Sequence, residues 1–170
     1  MQPLVVFSHG KESGPWGSKI KYLAKIAADR SCRVISVDYT GIPSADERVQ
    51  RLLHTDLGEY TKLVLAGSSM GSYVATLASK SLRPDGLFLL APAFGLPGYL
   101  VQRPAPHAGR TSVIFGREDE VIPLGNILDF AREHDTELHI VHDTHRLMNV
   151  LPTVGYLFDR FLEGILRPLE

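Results

Sequence analysis

Six short, unbroken apolar runs constrain this chain more than any other feature: LVVF at 4–7, RVISV at 33–37, KLVLA at 62–66, GLFLL at 86–90, TSVIF at 111–115 and ELHIV at 137–141. A run that does not alternate between apolar and polar residues has no face to offer water, so these runs predict strands buried on both sides. Between them the apolar residues recur at helical spacing, over 17–30, 45–57, 70–82, 123–134 and 153–166. Connections long enough to hold a helix predict a parallel α/β sheet covered on both faces. Sheets of that kind collect their functional residues at the carboxyl ends of the strands. One connection breaks the rhythm: AFGLPGYLVQRPAPHAG at 93–109 is rich in Gly and Pro, and reads either as a small lid over a site or as an irregular surface loop.

The length of 170 residues and the 44% hydrophobic content suit one domain spanning 1–170. Eighteen basic against nineteen acidic side chains leave a formal charge of -1, with no long run of one sign, which argues against a nucleic-acid partner. The single cysteine, Cys32, has no partner for an internal disulfide and falls in an apparent strand, where a buried thiol is expected. The opening MQPLVVFSHG has no cationic lead and only a short apolar run. It predicts neither a signal peptide nor a membrane span, and cytoplasmic residence is the expectation.

The third run leads into Gly67-Ser68-Ser69-Met70-Gly71, a G-x-S-x-G pattern between a predicted strand and a predicted helix. A sharp strand-to-helix turn strains the serine backbone and needs small residues two places to either side, or strand and helix collide. The turn also sets Ser69 beside the free N–H groups that open a helix, where an oxyanion is favoured. A serine needs a base, and the base needs an orienting group. Asp119, in FGREDEVIP after the fifth run, and His145, in HDTHRL after the sixth, supply both in the order serine, acid, histidine. The backbone amides of Met70 and Lys11 are the expected oxyanion donors, Lys11 because FSHGK follows the first run and comes close to the serine turn.

Several residues compete for these roles. His142 is the rival to His145 as base, and His139 reads as a strand residue. Glu118 or Glu120 replaces Asp119 if the loop differs by one residue. His9 is expected to support the oxyanion loop by hydrogen bonding rather than act as a base. Trp16 and Tyr99 either line a substrate pocket or serve ordinary packing. His142, Asp143 and His145 lack the further ligands of a zinc motif, so no metal is expected.

In combination, strand-final His9-Gly10, the elbow at 67–71, the string G-x-x-D-x-x-x-P from Gly116 to Pro123, and the late His145 resemble the α/β-hydrolase superfamily. The likeness is strongest to small, nearly lidless esterase-type members, and it covers residue 4 to about 165. It implies a reduced fold that lacks the first two strands of the full one: a three-layer α/β/α sandwich with a six-stranded sheet in the order 2-1-3-4-5-6. It also implies no cofactor. The function it implies is a serine hydrolase that cleaves small carboxylic esters or thioesters through an acyl-serine. Acyl transfer or peptide cleavage by the same three residues, or a binding or signalling module without turnover, stand as alternatives.

Overall fold

The computed structural model describes residues 1–167, and positions 168–170 lie outside the described residues. Six strands, β1 (Leu4–Ser8), β2 (Arg33–Val37), β3 (Leu63–Ser68), β4 (Gly86–Leu90), β5 (Arg110–Gly116) and β6 (Glu137–Val141), pair in parallel in the order β2-β1-β3-β4-β5-β6. The helices are α1 (Ser18–Asp29), α2 (Ala45–Leu53), α3 (Met70–Leu82), α4 (Leu124–Glu133) and α5 (Leu151–Leu166). Among the described residues no helix is long and apolar enough to cross a membrane.

The period of two along each strand divides the core into two slabs. Leu4, Val6, Leu63, Leu65, Leu87, Leu89, Val113 and Phe115 point toward α2, α3 and α4, whose Val49, Leu52, Tyr73, Val74, Ile127 and Phe130 meet them. Their strand neighbours Val5, Phe7, Val64, Ala66, Phe88, Leu90 and Ile114 point the other way, onto Ile20 and Leu23 of α1 and Val154, Phe158 and Phe161 of α5. Both faces are apolar, which is why the runs in the sequence do not alternate. Each large side chain taken out of water contributes about 1.5–3 kcal/mol.

Departures from the sequence expectation are local. α2 stops at Leu53, although the apolar spacing carries on to Leu57. The chain turns out of the helix, with Gly58 at φ +61° and its N–H on Asp56 Oδ1 at 2.9 Å, yet Leu57 still buries in the same slab. Cys32 precedes β2 rather than lying in it; it is buried, and burial pushes its thiol pKa up. α5 begins two residues before the periodicity, with Pro152 in its first turn, where a missing N–H costs no helical bond.

The most consequential packing is between the end of β1 and the start of α3. A Cβ on Gly71 would overlap the Ser8 carbonyl and lie 2.8 Å from His9 O, and a Cβ on Gly67 would run into the Gly71 carbonyl. Strand and helix therefore meet backbone to backbone. Gly71→Ala is expected to lower unfolding stability by about 3 kcal/mol or more, since the obstacle is main chain that cannot rotate aside. Gly14→Ala, where a Cβ meets nothing within 4 Å, should stay within about 0.5 kcal/mol of the parent. Urea melts of the two variants side by side test the contrast.

Candidate active site

The turn from β3 to α3 holds Ser69 at φ 54° and ψ −116°, a left-handed conformation that costs a non-glycine residue about 1–3 kcal/mol. The surrounding backbone holds it there. Ser69 N–H donates to Leu90 O at 2.9 Å, and Ser69 O accepts from Ser72 N at 3.0 Å and Ala93 N at 3.2 Å. The side chain is thus lifted off the carboxyl edge of the sheet at the start of α3.

His145, in the loop after β6, reaches Ser69 Oγ through Nε2 at 3.0 Å, and its Nδ1 lies 2.7 Å from Asp119 Oδ2. An Nδ1–H donating to the carboxylate leaves Nε2 as the acceptor for the serine hydroxyl. The Asp119 side chain is 0% exposed and the His145 side chain 18%. Asp119 Oδ1 accepts the amides of Val121 and Ile122, each at 2.8 Å, so the loop itself aims the second oxygen at the imidazole. The structure therefore brings together the serine, the acid and the histidine that sequence order suggests. Glu118 turns outward to Arg117 at 3.0 Å, Glu120 is exposed, His142 is exposed, and His139 sits on β6, 3.9 Å from Glu137.

His9 is fully buried behind this site. Its Nε2 accepts the Tyr39 amide at 3.0 Å, so the neutral ring carries its proton on Nδ1, which donates to Gly10 O at 2.8 Å. Burial pulls its pKa down, partly offset by the Gly10 carbonyl, and the nearby Arg48 adds to the fall. Both nitrogens are committed, which leaves none for Ser69. The amides of Met70 and Lys11 donate to no backbone or side-chain acceptor among the described residues. Trp16 is 47% exposed on the loop after β1, while Tyr99 is half-buried and packs edge-on against Tyr73 at 4.8 Å. Segment 93–109 is tied to α3 and α4: Tyr73 Oη accepts Val101 N at 3.1 Å, and Asn126 Nδ2 donates to Phe94 O at 2.9 Å. Between this segment and α4 lies a cavity of about 200 Å³ lined by Phe94, Gly95, Arg103, Asn126 and Phe130, which is not lined by Ser69, Asp119 or His145.

Residues 5–164 match the model of the alpha/beta hydrolase family. The chain belongs to that family. A structure from Xanthomonas campestris pv. campestris assigned to the α/β-hydrolase superfamily is 29% identical, with a TM-score of 0.82 over 96% of this chain and 99% of that one. Est1E from Butyrivibrio proteoclasticus is 17% identical with a TM-score of 0.80, over 97% of this family member and 88% of Est1E. An α/β serine hydrolase without a lid, also from Xanthomonas campestris, is 16% identical with a TM-score of 0.72, over 99% and 84% of the two chains. The latter two likenesses speak to fold alone. No curated protein matches the sequence of this family member.

Two supports of the site have roles that the sequence did not signal, although Gly116 opens the G-x-x-D-x-x-x-P string. Gly116 lets the end of β5 approach the histidine loop, where a Cβ would lie 2.5 Å from both Asp143 O and Thr144 O. Asp143, which the sequence offers only as a doubtful metal ligand, is instead the hub of that loop. It is 3% exposed; Oδ1 accepts Thr144 N at 2.7 Å and Asn149 Nδ2 at 2.8 Å, and Oδ2 accepts Asn149 N at 2.8 Å and Val150 N at 3.0 Å. Lys19 of α1 adds a clasp, Nζ donating to Arg146 O at 3.0 Å; burial first, then the Arg146 charge, lower its pKa to about 8, with Asp143 opposing.

Burial alone would raise the Asp143 pKa, but the hydrogen bonds from Thr144, Val150 and Asn149 outweigh it and hold the carboxyl below its usual range. A folded pKa below the unfolded one means stabilisation that is fully present above about pH 4 and lost as the pH falls through the folded value. Asp143→Asn should cost about 1–3 kcal/mol at neutral pH. It should also flatten the acid limb of the stability curve, as read by thermal melts from pH 7 downward.

Proposed function

We propose that this chain is a serine hydrolase acting on small carboxylic esters or thioesters through an acyl-Ser69 intermediate. The observation that carries the reading is the relay from Ser69 Oγ through His145 to Asp119, with the serine on a strained elbow. In the first half-reaction Ser69 Oγ attacks the carbonyl carbon as its proton passes to His145 Nε2, and the imidazolium is held by Asp119. The carbonyl oxygen takes the negative charge and receives hydrogen bonds from the Met70 and Lys11 amides. Collapse breaks the bond to the alcohol or thiol, which leaves with the proton from Nε2. Water then enters, gives a proton to His145, attacks the acyl carbon, and frees the acid and the serine.

An apolar acyl or alcohol group fits the rim. Trp16, Leu100, Val101, Val121 and Met148 are exposed apolar side chains on the loops after β1, β4, β5 and β6, the same edge of the sheet that bears Ser69. In this reading Trp16 and Tyr99 contact substrate, and segment 93–109 is a minimal lid acting as a wall of the site.

A fluorophosphonate probe should label Ser69, as located by mass spectrometry, and a panel of short-chain p-nitrophenyl esters should be turned over by the same sample. Ser69→Ala should lose labelling and on the order of 10⁴ or more in turnover. A folded parent protein that neither labels nor turns over any ester would point to a binding module on this scaffold. Asp119→Asn should keep the melting temperature but lower kcat by roughly 10⁴, because the imidazole is then held in the wrong tautomer. Unchanged esterase turnover in that variant would remove Asp119 from the acid role.

A further inference from the structure

α2 carries an arginine in an unusual setting. Arg48 is 3% exposed, yet among the described residues no Asp or Glu pairs with it. A buried guanidinium is ordinarily paired with a carboxylate, because a lone charge out of water is costly. Here main-chain carbonyls take the place of the carboxylate: Nε donates to Ile42 O at 2.7 Å, and Nη1 to Gly10 O at 3.2 Å and His9 O at 3.3 Å. The guanidinium carbon lies 5.3 Å from the centroid of the Tyr39 ring. Gly10 O also receives His9 Nδ1–H, so two donors hold one carbonyl.

The chemistry of the peptide unit gives this clamp a direction. In a planar trans peptide the C=O and the following N–H point opposite ways. With the carbonyls of His9 and Gly10 gathered onto Arg48, the N–H groups of Gly10 and Lys11 turn away from it, and neither donates to an acceptor among the described residues. Ser69 borders this loop: a Cβ on Gly10 would stand 3.7 Å from Ser69 Cβ. We infer that Arg48 is the positioning residue of the oxyanion site, pinning the His9 and Gly10 carbonyls so that the Lys11 amide, with that of Met70, faces the oxygen of a substrate bound to Ser69. A charge-assisted hydrogen bond to the carbonyl of an amide also strengthens the donor at its other end, and a fixed cation behind the loop favours negative charge in front of it. The inference rests on the acyl-Ser69 reading above.

Arg48→Met keeps most of the packing stem and removes the fork, and Arg48→Lys keeps the charge on a single nitrogen. For each, p-nitrophenyl ester kinetics are normalised to active sites titrated with fluorophosphonate. They are read with the inhibition constant of a phenylboronic acid, which forms a tetrahedral adduct on serine, and with a thermal melt. Arg48→Met should lower kcat per titrated site by about 10- to 100-fold, somewhat less than deletion of a whole oxyanion donor. KM should stay within about twofold, and boronate affinity should fall in step with kcat/KM. Arg48→Lys should lie between the methionine variant and the parent.

A clip that merely joins α2 to β1 would change the melting temperature or the number of titratable sites, but not kcat per site; that pattern overturns the inference. Should Arg48→Met fail to melt cooperatively, Arg48→Lys decides: reduced kcat at retained KM supports the role, and parental kcat refutes it. A parent protein that is inert to esters and to the probe defeats the acyl-transfer reading and this inference together. An active parent with an unaffected Arg48→Met defeats this inference alone.

Discussion

The contact of Gly71 with the carbonyl end of β1 is the constraint on which the rest of the site depends. Because α3 begins with backbone against backbone, there is room for Ser69 to sit in a left-handed conformation beside the loop that leaves β1. The strain at Ser69 is offset by hydrogen bonds of its own peptide groups to β4 and to the segment that follows it. A looser elbow would let the serine relax into ordinary helical geometry, and its hydroxyl would leave the plane in which His145 meets it. Packing of the sheet and geometry of the site are thus one steric problem, solved at two glycines.

Buried polar groups solve the second problem, which is holding loops still. The loops after β1 and β6 both lie against Ser69, and neither has regular secondary structure to fix it. Asp143 holds the β6 loop by four hydrogen bonds to residues 144–150, and Arg48 with His9 holds the β1 loop by its carbonyls. In both cases a charge is taken out of water and satisfied mainly by main-chain groups. Such an arrangement stabilises little in net terms but selects one loop conformation strongly, since any other leaves a buried charge without partners.

Fold and site were unequally legible. The six strands appeared at nearly their observed limits because continuous apolar runs are what a sheet buried on both faces requires. The overrun of α2 shows the limit of periodicity: Leu57 has the right phase and buries in the right slab, but reaches it from a turn. The G-x-S-x-G turn and the order of strand-end residues pointed to Ser69, Asp119 and His145, and the fold brings their side chains within hydrogen-bond distance. Asp143 looked like part of a weak metal motif, and nothing in the sequence singled out Arg48. Nothing local distinguishes a carboxylate that faces water from one that caps a loop, or an exposed arginine from one that reaches back across the sheet edge.

What the sequence determined by itself was the sheet, its covering helices and the turn at 67–71, because hydrophobic periodicity and glycine sterics act over a few residues and leave a trace there. What only the tertiary structure decided was which polar groups hold one another. His9 has both nitrogens spent, Arg48 grips carbonyls from a segment nearly forty residues earlier, and Gly116 admits a loop that comes from beyond β6. Those partnerships depend on where distant segments meet once the core has closed, and no pattern within a single segment encodes that meeting.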